Sequence, residues 1–342
     1  MFKTLAVLAC ASLALLCNPA RAAVGATEIP GIEGDGPVTL LYPSDGEASL
    51  VERDHFKLPL AWDGTPVAGN GRLVVISHGS GSLPWVHANL ARAFVEAGFV
   101  VALPRHRGDN AKDDGHPGPE SWRRRPAEVA RAIDAVAQQP RFASLLALDR
   151  VGMYGMSAGG HTALTLAGGR WSPARLLQHC EANIGEDFQA CAGLTTRLTG
   201  GVLDGLKKTV ALWVLRTKLD DSTWYAQTDP RIAAIVAGVP FAADFDPASL
   251  AAPSVPLGLV TARKDQWLVP RFHSDPIAQA CTPCEPIADL ADGGHGALLS
   301  PLRTDISGVR AELVSDPPGF DRSTLPALDR KIVDFFRRHL LP

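Results

Sequence analysis

The chain has 342 residues, of which 46% are hydrophobic and 20% are charged, and its formal net charge at pH 7 is −3. This composition is that of a globular protein whose length can be held in a single α/β domain. The chain carries no basic stripe, which argues against nucleic acid as a partner.

The N-terminal segment has the pattern of a secretory signal peptide. Lys3 precedes an apolar run at residues 5–16, and Ala20-Arg21-Ala22 fits a cleavage site of small residues. The run is too short to cross a bilayer comfortably, and no second long apolar segment follows. We therefore predict a signal peptide over residues 1–22 and a mature protein, residues 23–342, that is periplasmic or secreted, with no stable membrane insertion.

Strand-like and helix-like runs alternate along the mature chain. We predict strands at residues 72–77, 99–103, 151–154, 255–260 and 286–290, and helices at residues 85–97, from Pro126 onward and at residues 328–340. Such alternation favours a mostly parallel sheet with helices on both faces. Sheets of this kind bind ligands outside the carboxyl ends of their strands.

The motif GMSAG at residues 155–159 lies between a strand-like run and a helix-like run. A Gly-x-Ser-x-Gly in that context is typical of a nucleophile elbow, a sharp turn that exposes a serine at the top of the sheet. The glycines leave room for the turn because they have no Cβ. Ser157 is therefore the candidate nucleophile.

Two loops are candidates for stabilising a developing oxyanion, which requires backbone N–H donors. One donor is the residue after the nucleophile, Ala158. The other follows an earlier strand, where HGSG occupies residues 78–81. Ser80 is the preferred donor in this loop, with Gly79 and Gly81 as alternatives, and His78 is interpreted as a residue that holds the loop.

Two segments interrupt the alternation of strands and helices. Residues 104–122 are rich in proline, glycine and charge, and residues 170–208 contain two cysteines and several glycines. Long irregular segments in compact domains are usually functional covers or binding loops. The second segment is therefore interpreted as a small cap pinned by a disulfide near the elbow, with a plain surface excursion as the alternative.

Four cysteines remain after removal of the signal peptide. An even number in an exported chain favours disulfides over a zinc site, which would require two separate pairs to converge. The shortest loops are closed by the local pairs, which we favour over the other possible pairings. The pairs are Cys180 with Cys191 and Cys281 with Cys284.

A serine nucleophile requires a base, and His295 is the candidate. It lies in DGGHG, residues 292–296, after the last predicted strand, where flanking glycines are expected to let the imidazole swing toward another strand. His161 is expected to point away from the serine, and His339 is expected at the surface.

The base requires an acid that fixes its tautomer. Asp265 directly follows the strand predicted at residues 255–260, and it precedes His295 in the order Ser, Asp, His that is typical of α/β-hydrolases. Asp220, Asp244 and Asp246 are the rival acids.

Two charged clusters are interpreted as solvated. The run Arg123-Arg124-Arg125 is read as a helix entry in water, with a clamp for an acidic substrate as the less favoured alternative. The acidic residues at positions 109, 113 and 114 do not have the spacing of a calcium loop. No metal ion is predicted.

Taken together, these motifs resemble the α/β-hydrolase superfamily. The likeness is carried by SHGSG at residues 77–81, AGFVVALP at residues 97–104, RHRGD at residues 105–109, the elbow, and the strand-end acid and histidine. More narrowly, the chain is similar to bacterial predicted dienelactone hydrolases and their platelet-activating-factor acetylhydrolase relatives over most of residues 37–340. Dienelactone hydrolases use a cysteine nucleophile, so the serine here does not imply a lactone substrate.

The resemblance implies an exported, carboxylesterase-like serine hydrolase with Ser157, Asp265 and His295 as its triad. A small-molecule ester is the expected substrate, and no metal or organic cofactor is required. The alternatives are a phospholipid-type acyl hydrolase, an amidase or peptidase, and a catalytically inactive ligand-binding protein on the same fold.

Overall fold

The computed structural model describes residues 22–303 and 305–342, so the predicted signal peptide lies outside the described residues except for Ala22. Ten strands form one sheet. The strands are β1 Ala23–Ile29, β2 Val38–Ser44, β3 Ser49–Arg53, β4 Phe56–Trp62, β5 Leu73–Ser77, β6 Val100–Pro104, β7 Val151–Met156, β8 Ile232–Gly238, β9 Leu257–Ala262 and β10 Glu285–Leu290. The helices are α1 Ala88–Glu96, α2 Pro119–Ala137, α3 Pro140–Ala143, α4 Ala158–Leu166, α5 Pro173–Asn183, α6 Phe188–Ala192, α7 Asp204–Lys218, α8 Ser274–Ala280, α9 Gly308–Val314 and α10 Leu325–Leu340.

The sheet is mixed and mostly parallel. Its strand order is β10-β9-β8-β7-β5-β6-β2-β1-β4-β3. All neighbours from β10 to β6 are parallel, and antiparallel pairing begins where β2 joins β6. This arrangement confirms the predicted α/β class. The sequence patterns missed β1–β4, of which β3 is largely exposed and so lacks an apolar run.

The central strands are buried on both faces, as their continuous apolar character predicts. In β5, Leu73 and Val75 belong to the apolar cluster that includes α2 and α4, whereas Val74 and Ile76 belong to the cluster that includes α1 and α10. Because successive side chains of a strand point to opposite faces, helices cover both sides of the sheet.

Helix α2 begins earlier than predicted. It starts at Pro119, and Pro126 lies inside it, so the prediction that Pro126 opens the helix was wrong. The first two turns of α2 bury Trp122 and Arg125, and this packing stabilises helix in a segment whose composition is typical of a loop.

The segment between α4 and β8 is helical. It contains α5, α6 and α7. The last of these helices continues past the predicted limit at residue 208 and ends at Lys218. The structure contains both favoured local disulfides, Cys180–Cys191 between α5 and α6 and Cys281–Cys284 before β10. Among the described residues, no helix combines the length and apolar character needed to cross a membrane.

Candidate active site

Ser157 occupies a strained turn between β7 and α4. Its backbone has φ 57° and ψ −116°, a conformation that non-glycine residues rarely adopt. Hydrogen bonds hold this turn on both sides: the N–H of Ser157 donates to the Gly238 carbonyl at 3.1 Å, and its carbonyl accepts from the N–H groups of His161 and Phe241. The turn leaves Ser157 partly exposed at the carboxyl end of β7.

The glycines of the turn are required by close backbone contacts. A Cβ on Gly155 would lie 1.9 Å from the carbonyl oxygen of Gly159, and a Cβ on Gly159 would lie 2.0 Å from the carbonyl oxygen of Ser77. No side chain fits at either position. The turn therefore requires glycine at both positions, as the Gly-x-Ser-x-Gly motif predicts.

The structure joins the three predicted triad residues through hydrogen bonds. His295 Nε2 lies 3.0 Å from Ser157 Oγ, and His295 Nδ1 lies 2.8 Å from Asp265 Oδ2. Because a carboxylate only accepts, we assign the imidazole proton to Nδ1, which leaves Nε2 free to accept from the serine hydroxyl.

The carboxylate of Asp265 is fixed by its own loop. Its Oδ1 accepts from the N–H groups of Trp267 and Leu268 at 2.8 and 2.9 Å. Asp265 and His295 are both buried, and they follow the carboxyl ends of β9 and β10. The acid therefore presents one defined oxygen to the histidine.

The glycine after His295 has a packing role. A Cβ on Gly296 would lie 2.5 Å from the Cα and carbonyl oxygen of Val314, and Gly296 is part of the short 3-10 turn His295–Leu298. Close contact with the backbone of α9 therefore requires a glycine here, a packing role that the sequence did not indicate.

The rival acids Asp244 and Asp246 and the histidines His161 and His339 have other partners, and the third rival acid, Asp220, is exposed. Asp244 Oδ2 lies 3.0 Å from His161 Nε2 in a fully buried pair, and Asp246 forms an ion pair with Arg170. His339, which is half-buried at the end of α10, lies against Glu285. These side chains are therefore not in the hydrogen-bonded series that includes Ser157.

The loop 78–81 lies directly beside the serine. A Cβ on Gly79 would lie 3.5 Å from the Cβ of Ser157. The Ser80 hydroxyl and the Gly81 N–H both donate to Asp109 Oδ1, at 2.5 and 2.9 Å, so the Gly81 N–H is already occupied. Within residues 22–303 and 305–342, the backbone N–H groups of Gly79, Ser80 and Ala158 donate no hydrogen bond, which leaves them available to a ligand.

A buried ion pair supports this loop from behind. Arg125 donates from Nη2 to Asp109 Oδ2 at 2.8 Å and from Nη1 to the carbonyl of His78 at 2.5 Å. Neither side chain of the pair is exposed to solvent. The interpretation of Arg125 as a solvated residue was therefore wrong, as was that of Asp109 as part of a solvated acidic turn, and the pairing of the two was not predicted.

The Asp109–Arg125 pair influences the pKa values of the titratable groups beside the loop. Burial alone would raise the pKa of Asp109, but Arg125 and the hydrogen bonds from Ser80 and Gly81 outweigh burial and lower it. Burial, His106 and Arg125 hold the pKa of His78 well below its usual range. His78 is therefore neutral, and its Nδ1 donates to the Gly79 carbonyl at 2.7 Å, in agreement with a loop-holding role.

The segment α5–α7 contacts the loops that carry Asp265 and His295. On one side, Glu186 pairs with Arg271, and Asp187 accepts from His179 at 2.8 Å and from His273 at 3.0 Å. Burial alone would raise the pKa of Asp187, but these imidazole donors dominate and lower it to about 2.

On the other side of the segment, Arg197 pairs with Glu312 of α9, which packs on the turn that begins with His295. The segment thus connects the surroundings of both triad loops.

No protein-family model and no curated protein matches this chain. What defines the site is its geometry, in which a serine, an imidazole and a carboxylate form a hydrogen-bonded series at the carboxyl edge of a parallel sheet.

Proposed function

We propose that the protein is a serine hydrolase with the α/β-hydrolase fold that cleaves carboxylic esters. The observation that carries the proposal is the series Ser157–His295–Asp265, with distances of 3.0 and 2.8 Å. Such a series can activate a hydroxyl that is otherwise a weak nucleophile.

In the proposed first half-reaction, Ser157 Oγ attacks the ester carbonyl while His295 Nε2 takes the hydroxyl proton. Asp265 stabilises the imidazolium without taking its proton. The tetrahedral intermediate then expels the alcohol, which receives the proton from His295. The product of this step is an acyl ester on Ser157.

In the second half-reaction, His295 removes a proton from water, which attacks the acyl group. The bond between the acyl carbon and Ser157 Oγ then breaks, His295 returns the proton to Oγ, and the carboxylic acid leaves. In both steps, the carbonyl oxygen becomes negatively charged. The unoccupied N–H groups of Ala158 and Ser80 are the proposed donors to this oxyanion, and the Asp109–Arg125 pair would hold the second donor in place.

The segment α5–α7 is the proposed cap, held together by the Cys180–Cys191 disulfide. Its support is the set of contacts with the loops that carry Asp265 and His295. In this position, the part of the cap that contacts these loops, residues 186–197, would form part of the wall that selects the acyl and alcohol groups of the substrate, whereas the outward side of α7 would not.

The proposal is tested with p-nitrophenyl esters from acetate to palmitate on the mature protein. We expect hydrolysis of at least one ester and a loss of roughly 10⁴-fold or more in kcat for Ser157→Ala, because the nucleophile is removed. Ser323→Ala, at an exposed serine before α10, is the matched control and should retain activity.

A serine-reactive phosphonate separates the alternatives. Labelling of Ser157 with hydrolysis of amides rather than esters would indicate an amidase. Absence of both hydrolysis and labelling would contradict the hydrolase proposal and would favour a ligand-binding protein.

A further inference from the structure

Helix α7 presents an exposed apolar stripe. None of its residues is buried. The stripe, which includes two residues just before the helix, consists of Val202, Leu203, Leu206, Val210 and Trp213, with exposed fractions of 99, 60, 61, 48 and 65%. Large exposed apolar patches on soluble domains usually mark an interaction site.

The stripe is one defined face of the helix. Leu206, Val210 and Trp213 are spaced by four and three residues, which places them on the same side. The opposite side carries Leu212 and Leu215, which pack against the core. The helix is therefore attached by its inner face, and the apolar stripe is directed away from the protein.

The charges on α7 are all positive after its first residue. Residues 205–218 contain no Asp or Glu, whereas the chain as a whole has a formal net charge of −3. At about 100° per residue, Lys207 lies at one border of the stripe and Arg216 at the other. Lys207 and Arg216 pair with Asp204 and Glu181, so the unpaired positive charge of the helix comes from Lys208 and Lys218, which have no carboxylate partner among the described residues.

We propose that α7 docks the protein on an anionic phospholipid surface. An amphipathic helix with Trp and Leu on one face and Lys or Arg beside it lies in the membrane interface, with its apolar face among the acyl chains and its cations near the phosphates. A second copy of the chain fits less well, because pairing two such stripes would bring together two helices that each carry the unpaired cations Lys208 and Lys218.

The docking would place the lipid on the segment α5–α7, which also contacts the loops of the candidate active site. Helix α7 belongs to the segment that contacts the loops of Asp265 and His295, so a lipid bound at the stripe lies beside the same segment. Binding itself does not depend on the proposed hydrolysis, since the stripe and the triad share no residue.

The test measures co-sedimentation with vesicles of phosphatidylcholine alone or mixed equally with phosphatidylglycerol. Ser157→Ala protein is used so that hydrolysis cannot change the lipid. We expect partitioning into the anionic vesicles that is at least about tenfold stronger than into the neutral vesicles. The tryptophan fluorescence should shift to the blue on binding, and Trp213→Phe should remove that shift.

The variant Leu206→Gln/Val210→Gln/Trp213→Gln should weaken partitioning by about tenfold or more, because glutamine keeps the helix but removes the apolar contact. Leu50→Gln, at an exposed apolar residue of β3, is the matched control and should bind like the parent. In protein with Ser157 intact, the triple variant should hydrolyse a soluble short ester at the normal rate, which separates failure of docking from failure of the proposed chemistry.

Three results would overturn the proposal. The first is no binding to anionic vesicles at millimolar lipid. The second is equal binding by the triple variant and the parent. The third is a concentration-dependent dimer that disappears in the triple variant, which would assign the stripe to a second copy of the chain.

Discussion

The loop 78–81 and helix α7 differ in how the protein holds them. The loop is fixed from behind by Arg125 and Asp109, which have no exposed surface, whereas α7 has no buried residue at all. Oxyanion donors are effective only when they are preorganised, so a rigid support suits the role that we propose for the loop. The proposed lipid-docking surface must remain exposed, so its side chains contribute little to the stability of the fold.

Breaking the support of the loop should have the largest effect. Arg125→Met leaves Asp109 buried without its partner, and we expect a loss of about 3–5 kcal/mol in the free energy of unfolding, measured with urea. The kcat for a short ester should fall as well, because the loop loses the donor to the His78 carbonyl.

The double variant Arg125→Met/Asp109→Leu is the control for this change. It should recover most of the stability, because no buried charge remains, but not the kcat. A single variant as stable as the parent would show that the buried pair does not hold the loop.

The pH dependence of stability should differ between the two regions. The pKa of Asp109 is lower in the folded protein than its ordinary value of about 3.9, so the folded state binds fewer protons. Its contribution is complete above the unfolded pKa and is lost as the pH falls through the folded pKa. Urea unfolding at several acidic pH values gives the free energy of unfolding as a function of pH. In the double variant, this free energy should change less steeply with pH than in the parent, by at most about 1.4 kcal/mol per pH unit.

The triple variant on α7 should retain the parent slope in the same experiment. A double variant with an unchanged acid slope would contradict the charge assigned to Asp109.

The smallest effect is expected on α7 itself. Leu206→Gln, Val210→Gln and Trp213→Gln should each change the free energy of unfolding by less than about 0.5 kcal/mol, because these side chains are exposed in the folded state. Thermal and urea unfolding measure this directly. A loss of several kcal/mol would mean that the stripe is covered in solution and would remove the contrast with the loop.

The candidate triad was accessible from the sequence because each residue has a local signature. Ser157 lies in a motif whose glycines are required by close backbone contacts. Asp265 follows the apolar strand β9, and His295 lies in a glycine-rich loop after β10. The parallel sheet then brings these strand ends together, which the alternation of strands and helices predicts.

The support of the loop was not found, although part of its signal is present. Arg125 precedes Val129 and Ile133 by four and eight residues, which places it on the buried face of α2. However, Arg125 is the last of three consecutive arginines, and such a run is typical of a solvent-exposed segment. The partner Asp109 is sixteen residues away and is brought near only by the fold.

Helix α7 was missed for a different reason. The predicted end of the irregular segment, at residue 208, falls inside the helix. The apolar stripe faces outward and contacts no core, so the sequence pattern did not indicate a buried helix face. The helical period describes which residues share a side, but not whether that side meets protein or solvent.

The strand order has a consequence for the continuity of the chain. Among the described residues, strands β1–β7 form one uninterrupted block of the sheet and β8–β10 form the other, and only β7 and β8 are neighbours across the division. Each disulfide lies on one side of a cut between residues 193 and 203. Ser157 belongs to the first fragment, and Asp265 and His295 belong to the second. A chain divided there would therefore carry an incomplete candidate triad in each piece and would regain all three residues only when the two fragments associate.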